Sequence, residues 1–400
     1  MKNILLEDRN CECCGNKSNK LELIWSGSRI VKGISDTYLF EHSISVCSRC
    51  GFAFSSPCPT EESLKVFYGD SLSNFGVLPA YSVEKRLDIL KNLSLSYEST
   101  IVEIGGNYAK EFHSEVNKLF DKFYNTELNN DINISNSRSL INFNNEVDVI
   151  AHYDVLEHVP NVKKFLKLCY SALKDDGIMV CEVPNVRLYN RSFGVQDVFH
   201  VNHFSVTTLS RIAKYCGFEL IKVGHNASSR AISFVTVFKK TNIYVDKSTY
   251  VNQSEYFDTI SILYDSIEQV KMLHKHIEEI RKKILKLINS GKSVTLWAVT
   301  EFLSMFLDNF DLPEKVVVVD ADPRKSNMLK HKNISVSTPE VCRKHIINSD
   351  LLVIFSPRSK NNILEWINKD SAILDNKKVE VIGVTKSNVD LNSTQLLPRL

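Results

Sequence analysis

The sequence lacks three features that would each point directly to a class of protein. It has no run of about 18 apolar residues, as a membrane-spanning helix requires, and no basic, apolar and small-residue leader at its start. Its 49 basic and 47 acidic side chains leave a formal net charge of only +2, so the composition does not favour binding to phosphate backbones. We therefore expect a cytoplasmic protein that binds neither a membrane nor a nucleic acid.

The cysteines, by contrast, are numerous and patterned. Ten of them would indicate disulfides in an exported chain, but here thiols and metal ligands explain them better. The pattern C-x-x-C-G occurs twice near the start, with Cys11 and Cys14 in the first copy and Cys47 and Cys50 in the second. Two such pairs complete a tetrahedral four-thiolate zinc site with no open position, so we predict a structural zinc ion; Cys13 is the odd thiol beside it. Free cytosolic cysteines are the alternative, which the repeated spacing disfavours.

The segments between the two cysteine pairs, LELIWSGSRI and TYLFEHSISVC, have the composition of short strands. Strands between two C-x-x-C pairs are typical of a zinc ribbon. We therefore predict a small zinc-binding domain at the N-terminus.

A buried strand, a glycine turn and a helix start follow one another in TIVEIGGNYAKEF. Apolar residues surround Glu103 in the strand, and Gly105 and Asn107 lie in the turn. Glycine at such a turn lets a ligand approach the backbone closely. A second predicted strand, KFYNTEL, reaches Glu127 about 20 residues after the glycines, where a carboxylate can accept both hydroxyls of a ribose. The two features together indicate a nucleoside site, which a dinucleotide would also fit.

The segment VDVIAHYDVLEHVPNVKKFLKLCYSALKDDGIMVCEVPN, residues 147–185, favours one of these ligands. It resembles the part of class I S-adenosylmethionine-dependent methyltransferases that runs from the fourth strand through a helix into the fifth strand. That resemblance implies that Glu103, Gly105 and Asn107 hold the amino-acid part of S-adenosylmethionine and that Glu127 holds its ribose. The only departure in the turn is Asn107, which replaces a second spaced glycine.

The remaining strands complete the predicted fold. ELIKVG and AISFVTVFKK, beginning near Glu219 and Ala231, have the pattern of the sixth and seventh strands, the latter antiparallel. Farther on, YFDTISILYDSIEQVKMLHKHIEEIRKKILKL predicts one connecting helix, and SVTLWAV, KVVVVDADP, SDLLVIFSP and VEVIGV predict four buried strands of a second α/β domain. In that domain, Asp320 and Asp322 end a strand and either hold a sugar or nucleotide or cap a turn.

We therefore predict an α/β protein with a Rossmann-like, seven-stranded class I methyltransferase core. A small N-terminal zinc ribbon and a C-terminal α/β domain flank this core. The expected boundaries are residues 1–60 for the zinc-binding domain, 61–245 for the methyltransferase domain, 246–290 for the connecting helix and 291–400 for the C-terminal Rossmann-like domain.

Three histidines are candidates for proton transfer. His158 follows an acidic residue at a predicted helix start, and His200 and His203 come just before another predicted helix. Histidine is the side chain best matched to proton transfer near neutral pH, whereas a hydrogen-bonded loop histidine is the alternative for each of them. Tyr153 joins these candidates, and Asp154 is a candidate for binding the cofactor, because both end the fourth strand and ligands of open α/β sheets bind at the carboxyl ends of the strands.

The whole arrangement resembles the three-domain sugar C-methyltransferases, which carry a four-cysteine zinc domain, a central S-adenosylmethionine domain and a C-terminal Rossmann-like domain. The resemblance rests on the cysteine pairs, the turn after Glu103, YDVLEHVPN, HVNHFS, and the C-terminal order SVTLWAV, VVVVDADPRKSNM and ISVSTPEVC. It implies a nucleotide-linked keto sugar as substrate, in surface-polysaccharide or deoxysugar biosynthesis. The implied reaction is removal of the proton next to the ketone by a base, followed by attack of the enolate carbon on the methyl group.

The family's catalytic histidine falls on His203, and another pocket histidine falls on His158. Where the family has a tyrosine and a glutamate just before the catalytic histidine, this sequence has His200 and Asn202. Methylation of a sugar oxygen or nitrogen therefore stays an alternative. So do an RNA methyltransferase and a non-catalytic, zinc-stabilised binding protein, and we expect a monomer or a homodimer.

Overall fold

The computed structural model describes residues 2–32, 35–71, 80–106, 109–126, 139–191, 194–225, 232–242, 251–308, 310–327, 329, 333–356, 359–368 and 378–381. The chain divides into two compact units, Met1–Ile267 and Glu268–Leu400. Across the described ranges, no helix is both long and apolar enough to cross a membrane.

The N-terminal segment forms a small sheet around one long hairpin. Its strands are β1 (Lys2–Asn3), β2 (Leu6–Glu7), β3 (Leu21–Lys32), β4 (Thr37–Cys47), β5 (Ala53–Phe54) and β6 (Cys58–Pro59). Strands β3 and β4 form the hairpin, β5 pairs antiparallel with β4, and β1 pairs parallel with β4. Strand β2 pairs separately with β6, and helix α1 (Glu61–Ser71) follows, with two acidic residues in its first turn, where the helix dipole favours negative charge.

A doubly wound α/β domain comes next. Its helices are α2 (Ala80–Lys91), α3 (Lys110–Leu119), α4 (Val162–Ala172) and α5 (Val206–Tyr215); its strands are β7 (Thr100–Ile104), β8 (Lys122–Thr126), β9 (Val147–Tyr153), β10 (Leu173–Pro184), β12 (Phe218–His225) and β13 (Ser233–Lys240). The strand order is β12-β13-β10-β9-β7-β8, and β13 is antiparallel to both of its neighbours while the strands from β10 to β8 are parallel. This order confirms the predicted class I methyltransferase fold, and six of its seven predicted strands lie among the described residues.

The helices cover both faces of this sheet. Because side chains alternate along a strand, Ile101 and Val149 pack with α2 and α3, whereas Val102 and Ile150 pack with α4 and α5. The cysteines of the two C-x-x-C pairs belong to the same hydrophobic cluster as α4 and α5. The N-terminal segment and the central domain thus share one core.

They share a sheet as well. Strand β11 (Asn202–His203), which lies in the central domain's sequence, pairs antiparallel with β5, so that Asn202 lies opposite Phe54 and His203 opposite Ala53. The HVNHFS motif is therefore an edge strand of the N-terminal sheet, and its histidine is held where that sheet joins the central domain.

A 37-residue helix, α6 (Gln253–Asn289), lies within the predicted connecting segment, residues 246–290. Its first turn is fixed to the first unit, because Glu255 accepts hydrogen bonds from Ser205 Oγ at 2.5 Å and from Arg187 at 2.7 Å. Gln253 also donates a hydrogen bond to the Ser48 carbonyl at 3.1 Å, beside the second cysteine pair.

The second unit contains a parallel sheet in the order β16-β15-β14-β17-β18. Its elements are β14 (Val294–Trp297), α7 (Glu301–Leu307), β15 (Val316–Val319), β16 (Val336–Ser337), α8 (Arg343–Asn348), β17 (Leu351–Ile354), α9 (Lys360–Asn368) and β18 (Lys378–Val381). The four predicted strands are β14, β15, β17 and β18.

The turn after β14 is stabilised from within this unit. Ala298 has a φ of +78°, a left-handed conformation that side chains other than glycine rarely adopt. Asp320, at the end of β15, accepts the backbone N–H of Val299 at 2.7 Å and a hydrogen bond from Lys325 Nζ at 3.0 Å. In the structure Asp320 is thus a turn cap, one of the two roles that the sequence allowed.

Candidate functional site

The two C-x-x-C pairs meet as the spacing predicts. The Sγ atoms of Cys11 and Cys50 lie 3.5 Å apart, as do those of Cys14 and Cys47. All four sulfurs lie within 4.8 Å of one another, and all four residues are buried. Zinc–sulfur bonds of about 2.3 Å in a tetrahedron place sulfurs about 3.8 Å apart, so the donor set fits one zinc ion.

The backbone and the burial of the thiols favour a metal at this site. Gly15 and Gly51 follow the two pairs with the same φ of +74°, and they donate their N–H groups to the carbonyls of Cys11 at 2.8 Å and Cys47 at 2.9 Å. Burial raises the pKa of the Cys11 thiol well above its usual value. Four thiolates buried this close together would repel one another, and a zinc ion bound between them would supply the compensating positive charge.

Glu12 connects the zinc loop to the methyltransferase domain. Its carboxylate accepts the backbone N–H groups of Val162 at 2.8 Å and Lys163 at 3.4 Å, at the N-terminus of α4. A carboxylate there satisfies donors that the helix leaves open and interacts favourably with the helix dipole. Burial raises the pKa of Glu12.

The glycine turn lies at the carboxyl end of β7. Gly105 has a φ of +81°, and its N–H group donates to the Thr126 carbonyl at 2.9 Å, which fixes the turn to the end of β8. A Cβ atom on Gly105 would lie 2.5 Å from Cγ2 of Val155. Both the conformation and the space thus require glycine.

The buried Glu103 side chain packs against this turn. Its carboxylate lies 3.5 Å from Arg86 Nη1 and 2.5 Å from His113 Nε2, and a Cβ atom on Gly106 would collide with it. The Glu103 and Arg86 side chains are each only 1% exposed. A buried charge pair of this kind is costly to break, so it holds the turn in place.

Two further predicted residues end β9 near the turn. Tyr153 is buried, with its ring 4.0 Å from the Arg86 guanidinium carbon and 6.1 Å from the Phe112 ring, so it packs under the turn. Asp154 has a φ of +55°, and its N–H group donates to the Glu182 carbonyl at 3.0 Å. Its buried Oδ1 atom has no hydrogen-bond partner among the residues that the structure describes.

These observations agree with a bound S-adenosylmethionine. The turn leaves no room for a side chain at Gly105, and Asp154 Oδ1 offers an acceptor to a ligand beside it. Asn107 and Glu127, the other two predicted cofactor residues, lie outside the described residues. Thr126, the last residue of β8, is buried and ends its strand at the edge of the sheet where this ligand would lie.

The structure brings His158 and His200 together. Their ring centroids lie 4.9 Å apart, and both Nε2 atoms face Oε1 of the buried Glu157, from 4.0 Å and 3.9 Å respectively. Nδ1 of His158 lies 3.2 Å from the Tyr68 hydroxyl, which comes from α1.

His203 lies in a more enclosed position. It is 1% exposed, its Nδ1 atom lies 2.9 Å from the Tyr189 hydroxyl, and its ring centroid is 6.2 Å from that of His42. Burial first, and then the neighbouring His42 and His200, lower the pKa of His203 well below its usual value. His203 is therefore neutral at pH 7, and its Nε2 atom has no hydrogen-bond partner within the described part of the chain.

Asn202 and Arg9 fix the strand that carries His203. Asn202 Nδ2 donates to the carbonyls of Leu156 at 3.0 Å and Val159 at 2.8 Å, while its Oδ1 accepts from Arg9 at 2.8 Å. Arg9 also donates to the Val201 carbonyl at 2.5 Å. Asn202 thus uses its whole amide to hold the Leu156–His158 turn against β11.

Sequence reasoning missed four residues of this region: Arg9, His42, Arg86 and Asp197. No local pattern marks Arg9, His42 or Arg86, although the first two lie within a few residues of the cysteine pairs. Asp197 carries a weak signal, because it precedes His200 by three residues, and its carboxylate lies 3.2 Å from His200 Nε2.

Comparison with known proteins supports the central assignment. Residues 81–223 match a family model described as a methyltransferase domain. No curated protein was found to match the chain.

Solved structures with some similarity include three methyltransferases, the first two of them described as S-adenosylmethionine-dependent. One from Archaeoglobus fulgidus is 17% identical, with a TM-score of 0.31 over 40% of this chain and 95% of that one. One from Mesorhizobium loti is 10% identical, with a TM-score of 0.31 over 39% and 98%. The 1,6-didemethyltoxoflavin-N1-methyltransferase of Burkholderia thailandensis is 11% identical, with a TM-score of 0.33 over 48% and 96%.

The matched segment runs from α2 into β12 and contains the glycine turn, Asp154 and all three candidate histidines. Together with the strand order, it identifies the central domain as a class I S-adenosylmethionine-dependent methyltransferase domain and the protein as an enzyme.

Proposed function

We propose that the enzyme transfers a methyl group from S-adenosylmethionine to a nucleotide-linked keto sugar, at the carbon next to the ketone. The cysteine pairs, YDVLEHVPN and HVNHFS, which resemble the sugar C-methyltransferases, support this substrate class. The observation that carries the proposal is the neutral, buried His203 with Nε2 available, held at the junction of the N-terminal sheet and the central domain.

His203 acts as the proton acceptor. In the tautomer that this role requires, Nδ1–H donates to the Tyr189 oxygen, so Nε2 presents its lone pair. Nε2 takes the proton from the carbon next to the ketone, and the electron pair of that C–H bond moves into an enolate on the sugar. When bound, S-adenosylmethionine supplies an electrophilic methyl group. The glycine turn and Asp154 position this donor, and the closed surroundings of His203 exclude water from the proton transfer.

Deuterium exchange tests the base separately from methyl transfer. Wild-type enzyme incubated in D2O with a nucleotide-linked 4-keto sugar and S-adenosylhomocysteine should exchange the proton next to the ketone, and with S-adenosylmethionine it should add one methyl group at that carbon. His203→Gln keeps a hydrogen-bonding side chain of similar length, so it should bind S-adenosylmethionine normally but lose exchange by at least about 100-fold. If His203→Gln still exchanged this proton at the wild-type rate, His203 would not be the base.

Methylation of a sugar hydroxyl is the second candidate, and Asn202 favours it. The resembled family has a glutamate at this position, whereas the amide of Asn202 is occupied by Leu156, Val159 and Arg9. A single histidine base is enough to deprotonate a hydroxyl. If NMR located the new methyl group on a sugar oxygen and no deuterium exchange occurred at carbon, methylation of a hydroxyl would be the reaction and methylation of carbon would be excluded. Cofactor binding without methylation of any nucleotide sugar would contradict both.

A further inference from the structure

Apart from the cysteine site, the described residues contain one more group of side chains that could hold a metal ion. Glu157 and His158 lie on the 3₁₀ helix Leu156–His158, and His200 lies in the segment before β11. One ligand atom from each lies within 4.8 Å of the other two. The proposed methyl transfer assigns no role to this cluster.

A hydrogen bond to the backbone holds His158 in the tautomer that can bind a metal through Nε2. Nδ1 of His158 lies 2.9 Å from the Phe199 carbonyl oxygen. A carbonyl can only accept, so Nδ1 carries the proton and Nε2 keeps its lone pair. A backbone carbonyl on the second ring nitrogen is the usual partner of a metal-binding histidine, because it fixes both the tautomer and the ring orientation.

The three donors converge on one point. Nε2 of His158 and Nε2 of His200 lie 4.0 Å and 3.9 Å from Oε1 of Glu157. Metal bonds of about 2.0–2.2 Å place neighbouring donors about 3.0–3.6 Å apart. The side chains would therefore close by roughly half an ångström around an ion, which rotation about the side-chain bonds allows.

The negative charge of the cluster and its access to solvent also favour a bound cation. Glu157 and His200 side chains are 1% and 4% exposed, so a cation here would lie next to a carboxylate that is shielded from water. Asp197 adds a second carboxylate, 3.2 Å from His200 Nε2 and 35% exposed. His158 is 24% exposed, so this side of the cluster stays open to solvent.

We propose that Glu157, His158 and His200 bind a divalent transition-metal ion at a site separate from the cysteines, with Asp197 adding negative charge beside His200. Two imidazoles favour zinc, cobalt, nickel or iron over magnesium, calcium and manganese, which are better suited to oxygen ligands. The solvent-facing side leaves a position for water or for an oxygen atom of a bound ligand, as in metal sites that act on substrates.

Cobalt substitution of the full-length chain tests this site. The metal-free protein titrated with Co²⁺ should bind two ions per chain. One ion should give the intense thiolate-to-cobalt charge-transfer band of a four-cysteine site, and the other should give only the weak visible bands of nitrogen and oxygen ligands.

Variants assign the second ion. His200→Ala should lose the weak-band ion, with affinity reduced by at least about 100-fold, and should keep the thiolate band, which shows that the first unit is still folded. Glu157→Gln, with nearly the same shape, should reduce the affinity for the same ion, and it replaces His200→Ala as the test if that variant does not fold. His152→Leu is the matched control: it removes a buried histidine of β9 and should keep both ions.

Three results would overturn the proposal. The first is a single ion per chain in the wild type with only the thiolate spectrum. The second is a second ion that neither His200→Ala nor Glu157→Gln affects, and the third is a second ion that His152→Leu removes.

Discussion

Gly105→Ala tests the cofactor turn by adding a single carbon atom. The new Cβ would lie 2.5 Å from Val155 Cγ2, whereas carbon atoms in contact are about 3.5–4.0 Å apart, so one of the two must move by about 1 Å. The left-handed φ of +81° adds a strain of about 1–2 kcal/mol for any residue with a side chain, and overpacking adds about 1–3 kcal/mol. We expect a total loss of about 2–5 kcal/mol in stability.

The effect on ligand binding should be separate and measurable. A shift of about 1 Å breaks at least one hydrogen bond to the ligand, which costs on the order of 1.4 kcal/mol, or a tenfold loss of affinity. Isothermal titration of S-adenosylmethionine into the zinc-loaded variant should therefore show a Kd at least about tenfold higher than that of the wild type.

Gly291→Ala is the matched control for strain without collision. Gly291 has a φ of +80°, and a Cβ atom there would meet nothing within 4 Å. This variant should lose only the strain energy and should bind S-adenosylmethionine as the wild type does. If Gly105→Ala bound the cofactor normally and unfolded like Gly291→Ala, the turn would not be the cofactor site.

Three further predictions concern stability and zinc. His152 is fully buried, and burial lowers its pKa to about 3, so below about pH 6.5 the unfolded chain binds a proton there that the folded chain does not, and the wild type loses stability as pH falls. His152→Leu removes this loss, so between pH 7 and pH 5 its free energy of unfolding, measured with urea, should rise by about 2 kcal/mol relative to that of the wild type. The same pH dependence of the unfolding free energy in both proteins would contradict this. Cys14→Ser should lower the zinc content by one ion per chain, measured by plasma mass spectrometry, whereas the adjacent buried Cys13→Ser should not; equal zinc in both would contradict the assignment. Ala298→Gly should raise the stability of the second unit by about 0.5 kcal/mol, because relief of the strain at φ +78° exceeds the entropy lost by glycine, and a lower melting temperature would refute this.

The fold and the four-cysteine cluster could be predicted because their signals are local. Cysteines two residues apart must face one ion from the same turn, so the spacing of Cys11 with Cys14 and of Cys47 with Cys50 fixes the donors. Each strand of the central sheet is a short apolar run, and the glycine after Glu103 marks the turn between strand and helix. Such patterns occupy a few neighbouring residues and need no knowledge of distant contacts.

The contacts that join the N-terminal sheet to the methyltransferase domain could not be predicted in the same way. Strand β11 has only two residues, and its partner β5 lies about 150 positions earlier, so no periodicity reveals the pair. Arg9 and Glu12 are ordinary charged residues in sequence, yet they contact the loop before α4 and the N-terminus of α4. The pairing of His158 with His200 likewise depends on the fold, since the sequence offers each only as a separate candidate.

The claim on which this account most depends is that the turn after β7 holds the methyl donor. A crystal structure of the zinc-loaded chain with S-adenosylhomocysteine at saturation tests it directly. We expect density for the ligand against Gly105, with its ribose hydroxyls at Glu127 and a polar contact to Asp154. Density for NAD in this crevice under the same conditions, or an empty crevice in a folded and metal-loaded crystal, would contradict it.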